Sequence, residues 1–205
     1  MKPLASIVVV SIIALFCGCA STPGPTDGPT NISGPAWVTQ AGGVYKAEDG
    51  QTALFAVGSY RVSPNFDFTM KSARASARDE MARILQVTVQ NMFTSYEREA
   101  LDFYDEDTAS SVVNKEDVSR QVSNATLTGS RQIAAYKDPE LNQYFILMRC
   151  DLNSGFFQQM KKQGNMAYRE AFAAYTKEQK EEGLSKLDEF IAAEEAKSHP
   201  VFKVE

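Results

Sequence analysis

The densest cluster of reactive groups in this 205-residue chain is an acidic run of Glu97, Glu99, Asp102, Asp105, Glu106 and Asp107. A carboxylate pair can cleave a glycosidic bond only when its two pKa values are driven apart. A solvated polar loop does not do that. The run also lacks the glycine and terminal glutamate of a calcium-binding loop. The lone histidine, His199, sits in a polar tail, and neither a Ser-His-Asp triad nor a histidine metal site can be assembled around it. No S-x-x-K, G-x-S-x-G, G-x-G-x-x-G or phosphate-loop pattern occurs, which removes the corresponding acyl-transfer and nucleotide-binding arrangements. The residues therefore point to no catalytic centre, no metal site and no dissociable cofactor.

Binding chemistry has better candidates. Lys71, Arg74 and Arg78 share one flank of a helical stretch, where cations suit anionic lipid headgroups, glycan peptides or an acidic neighbour. A solvated helix flank is the plainer alternative. Trp37, the sole tryptophan, is expected to pack on a sheet edge, with a surface anchor for a partner as the sharper reading. The stripe of Phe157, Met160, Tyr168, Ala171, Phe172 and Tyr175 reads as core, with helix-mediated self-association as the alternative. A formal charge of −5 argues against a general nucleic-acid binder, which needs a basic surface.

The N-terminus carries one basic residue, Lys2, an apolar stretch from Leu4 to Phe16, and then Cys17-Gly18-Cys19. The stretch is short for a bilayer span, which takes about 20 residues, and has the length of a signal-peptide core. Gly18-Cys19 resembles the end of bacterial lipoprotein signals, a small residue before a lipidated cysteine, although Phe16 stands where a leucine is usual. An ordinary secretory signal cut after Gly18 or Ala20 is the other reading. The resemblance implies a leader over residues 1–18, with a diacylglycerol and an acyl chain on Cys19 as the only added group. Ala20 in place of Asp implies an outer-membrane address, with the domain facing the periplasm. Residues 19–35 are rich in Pro, Gly, Ser and Thr and read as a tether. With Cys17 removed and Cys19 acylated, Cys150 is left alone among Leu147, Met148 and Leu152, and is expected to be a buried small hydrophobe. An intermolecular disulfide is the alternative.

These residues need elements to hold them. Ala53 to Val62 runs apolar and then alternates, which suits a strand covered on both faces at one end and on one face at the other. Gly58 inside it marks a bulge or a close approach of another backbone. Pro64 and Asn65 end the strand, and Asp67 or Thr69 can cap a helix whose apolar arc is Met70, Ala73, Ala77, Met81, Ile84 and Leu85. From Val87 to Thr94 bulky and polar residues alternate, which predicts a strand. Asn114 with Asp117 predicts a capped helix over Lys115 to Thr128 with Val118, Val122 and Ala125 inside. Arg131 to Lys137 and Gln143 to Leu152 read as a hairpin, the second strand central. Asn153 or Ser154 then caps a C-terminal helix that continues, with a shift of phase at Gly183, to about Lys197.

The expected fold is α+β, a small mixed sheet of about four strands with one long and one short helix over residues 36–160, and a helical extension over 161–205. That order of elements, with Pro35-Ala36-Trp37-Val38, Ala56-Val57-Gly58-Ser59, Ala77-Arg78-Asp79-Glu80-Met81-Ala82-Arg83 and Leu127-Thr128-Gly129, resembles the Lpp-twenty family of bacterial outer-membrane lipoproteins. The flagellum-associated basal-disk lipoproteins are similar. The resemblance implies a non-catalytic envelope component held to the outer membrane by its lipid. Its partners would be further copies of the chain or envelope and flagellar proteins. A tethered periplasmic cofactor that regulates a cell-wall synthase is the alternative.

Overall fold

The apolar runs of the chain become the middle of an antiparallel sheet. In a computed structural model that describes residues 34–100 and 113–204, the strands are Gly43–Lys46 (β1), Thr52–Arg61 (β2), Arg131–Asp138 (β3) and Gln143–Asp151 (β4). Their order is β1-β2-β4-β3 and every strand pairing is antiparallel. The mixed character expected is confined to one isolated parallel bridge, Lys46 to Val201. Together with the helices this is the α+β class expected. The leader, Cys19, most of the tether and the carboxylates from Asp102 to Asp107 lie outside the described residues.

Alternation along β2 and β4 sends successive side chains to opposite faces. Leu54, Ala56, Ile146, Met148 and Cys150 join the larger core on one face, and Ala53, Phe55, Phe145 and Leu147 join a smaller core on the other. The N-terminal half of β2 is thus covered on both sides while Tyr60 and Arg61 are exposed. At Gly58 a β-carbon would collide with the Ala77 backbone. The glycine lets the helix seat directly on the strand.

That helix, Phe66–Ala100 (α1), begins differently from expectation and runs much further. Asn65, rather than Asp67 or Thr69, accepts from the Phe68 N–H at its start. Thr69 is fully buried, and its Oγ1 accepts from the Ser63 N–H and donates to the Asn65 carbonyl. The strand expected over Val87 to Thr94 does not form. Ala73, Ala77, Met81, Leu85, Val89 and Phe93, all buried, repeat at four-residue steps, and Tyr96 follows. Each such step turns 400°, so the buried stripe creeps around the helix by about 40° per repeat. Its first half faces the sheet, and its second half faces the other helices. Tertiary packing overrides the β-propensity of Val87 and Val89, and Val87 points to solvent.

Three further helices close that second half. Lys115–Leu127 (α2) is capped by Asn114, which accepts from the Asp117 N–H. Its inner face is Val118, Ser119, Val122 and Ser123, whereas Ala125 is exposed. Ser154–Ala171 (α3) is capped by Asn153. It gives way to a short 3-10 turn, Phe172–Ala174, before Lys177–Glu195 (α4). The expected single helix with a phase shift is therefore two helices, the second opened by a Thr176–Gln179 capping box. Tyr96 donates its hydroxyl to the Gly183 carbonyl at 2.8 Å, and Phe93 lies close against Gly164.

Among the described residues no α-helix covers the smaller core. It is closed by Trp37, from the short turn Ala36–Val38, and Phe202, from the C-terminal tail. Phe202 donates its N–H to the Lys46 carbonyl and stacks on Phe55 with ring centroids 4.1 Å apart. The helical extension over 161–205 supplies Tyr168, Phe172, Leu187, Ile191 and Phe202 to the two cores. Both cores are built from side chains within the one compact unit Ile32–Glu205.

Candidate functional site

Trp37 does not offer a surface anchor. It is only 2% exposed, in the smaller core with Phe55, Leu147 and Phe202. Burying its large ring against the sheet is worth more than leaving it in water, and the tail completes the cover.

Lys71, Arg74 and Arg78 are where the spacing puts them, exposed on one flank of α1. Arg74 reaches across and donates Nε–H to Gln132 Oε1 at 2.7 Å. Lys71 and Arg78 have no carboxylate within ion-pair distance among the described residues. The flank is a short basic strip available to an anion.

Of the two described members of the acidic run, Glu99 is exposed and Glu97 serves structure. Glu97 lies in α1, accepts from Lys115 Nζ at 2.5 Å and from the Tyr168 hydroxyl at 3.1 Å, and so joins α1, α2 and α3. Burial, and then the Glu97 charge, push the Tyr168 hydroxyl far above the usual tyrosine range. It stays a donor to Glu97 at any ordinary pH.

Cys150 is the buried hydrophobe expected. It is 1% exposed, donates to the Thr126 carbonyl at 3.3 Å, and burial pushes its thiol up to about 11. A protonated, enclosed thiol is a poor nucleophile, and no route to an intermolecular disulfide opens from it.

At one end of the sheet Arg149 lies between Asp49, at 2.7 Å, and Asp151, at 2.5 Å, while Arg131 also reaches Asp151 at 2.7 Å. Burial alone would raise the Asp151 carboxyl, but hydrogen bonds from Arg131 and Arg149 hold it below its usual value. The Gln51 N–H and then Arg149 hold Asp49 low as well. These four charges satisfy one another.

A concavity with mixed walls was not visible in the sequence. A cleft of about 340 Å³ lies between the outer side of α1, the edge of β1, the start of α3 and the end of α4. Ile84, Met92, Leu152 and Phe156 give it apolar walls, and Asn91, Ser95, Glu194, Lys197 and His199 give it polar ones. His199 is accordingly half-buried, not the solvated tail residue expected. Glu194 and Lys197 pair with each other at 3.2 Å. The lining comes from four separate parts of the chain, so no local pattern announces it. Its mixed lining has the chemistry to hold a small amphipathic guest, and its one carboxylate already has a partner.

Among the described residues no group of three or more His, Cys, Asp or Glu is placed to hold a metal ion, and no helix is long and apolar enough to cross a membrane. No model of a known family matches the chain, and no curated protein matches it.

Proposed function

We propose that this chain is a lipid-anchored lipoprotein of the outer membrane that works without catalysis, as a structural or assembly component of the envelope. The observation that carries this is the join of Gly18-Cys19 and a Pro/Gly-rich tether to one compact α+β unit. Several acyl chains on one cysteine hold such a unit at the membrane, each buried CH₂ contributing about 0.8 kcal/mol. The charged groups inside the unit support a structural role. Glu97, Lys115, Arg149 and Asp151 are used to join its own elements. The likeness to the Lpp-twenty lipoproteins, carried by the order of motifs, supports assembly with further copies or with envelope and flagellar proteins as partners. The mature protein in mild detergent should sediment as an oligomer or crosslink to an envelope protein. A strict monomer at high concentration that crosslinks to nothing would overturn the assembly role.

A further inference from the structure

Among the described residues most large apolar side chains are covered, and the exposed aromatic ones share a single end. Phe66 is 56% exposed, Phe68 51% and Tyr60 38%. Tyr60 and Tyr144 face each other across β2 and β4. The first turn of α1 lays Phe68 edge-on against Tyr60, with centroids 5.6 Å apart, and Phe66 edge-on against Tyr144, also at 5.6 Å. Leu141, exposed in the turn between β3 and β4, is at the same end, since Asn142 beside it accepts from the Val62 N–H. Apolar area of this kind in water has a cost that a binding surface recovers.

Cations surround these rings. Arg61 ends β2, Lys71 follows Phe68 by one turn, and Lys137 pairs across from Tyr144; all three are exposed. Arg74 and Arg78 continue the charge along α1. Asp67 and Glu140 are the exposed acids at this end and are outnumbered. The rings stand outward. Phe66, Phe68 and Tyr144 line none of the cavities between the described elements, and Tyr60 borders a wide, open one that runs along α1 as far as Arg83.

We infer that this aromatic and basic end is a lipid-docking surface, on which Phe66, Phe68 and Leu141 enter the headgroup layer while Arg61, Lys71 and Lys137 meet anionic phosphates. Rings at the interface with cations behind them match the chemistry of that layer. The surface is a second hold on the bilayer, independent of any acyl chain on Cys19.

The unit of residues 32–205, which lacks Cys19, separates this proposal from the acylation reading. It should co-sediment with vesicles rich in phosphatidylglycerol and far less with pure phosphatidylcholine. Replacing both Phe66→Ser and Phe68→Ser should weaken binding roughly tenfold or more, and Lys71→Ala or Lys137→Ala roughly fivefold each. Val87→Ser and Met166→Ser, exposed apolar residues elsewhere, should leave it unchanged. Unaltered thermal unfolding of each variant shows that the fold is intact. No binding to the anionic vesicles, or binding indifferent to the phenylalanine pair, would overturn the proposal. So would a photocrosslinker at position 68 that captures an envelope protein and no lipid in cells.

Discussion

The two ends of the sheet treat the same kinds of residue in opposite ways. At one end Arg149 is held between Asp49 and Asp151, and Phe55 lies beneath both Arg149 and the stacked ring of Phe202. At the other, Tyr60, Phe66, Phe68 and Tyr144 form ring pairs just as regular, with both phenylalanines more than half exposed. Composition does not separate them. Chain path does, because the C-terminal tail folds back over the first end and pairs with Lys46. A ring with a strand laid over it is core, and a ring without one is surface. The first end therefore reads as stability, and the second as a place where something else supplies the cover.

The comparison breaks most visibly at Phe202. Truncating this 1%-exposed ring with Phe202→Ala should cost about 3–5 kcal/mol in denaturant unfolding, the range of a buried phenylalanine. A loss under about 1 kcal/mol would mean that the tail does not close the smaller core.

A middle-sized effect belongs to the charges. A carboxyl held low in the fold adds stability above its ordinary pKa, 3.8 for Asp151, and loses it as pH falls through the lower folded value. Asp151→Asn should thus lower stability by about 1–2 kcal/mol at neutral pH. The gap from the parent protein should close as the pH drops below that range. A gap that stays constant across the acid limb would contradict the ion network.

The smallest effect is expected at the open end. The paired Phe66→Ser and Phe68→Ser change should shift unfolding by no more than about 0.5 kcal/mol, as exposed positions do. A loss comparable to Phe202→Ala would make those rings part of the core and erase the contrast between the ends.

Much of this architecture was legible from local pattern. β2, β4 and the hairpin come from apolar runs between turn residues, the Asn114 and Asn153 caps from their side chains, and the tight seat at Gly58 from a glycine inside a strand. The second half of α1 was not legible, because Val87 and Val89 with polar neighbours mimic a period of two. Only the partners on α3 and α4 show that Val89 is buried and Val87 is not. Nor does anything around Phe202 or His199 signal that a polar tail returns to the sheet, since the partners Phe55 and Lys46 are far away in sequence. The cleft and the aromatic end share that origin: each is assembled from separate segments, and no single stretch displays it.

The intact mass of the mature protein tests the central claim most directly. The account predicts a chain that begins at Cys19 and carries a diacylglycerol and an amide-linked acyl chain. A mature chain with a free thiol at Cys19, or one cleaved elsewhere with no fatty chains, would contradict it.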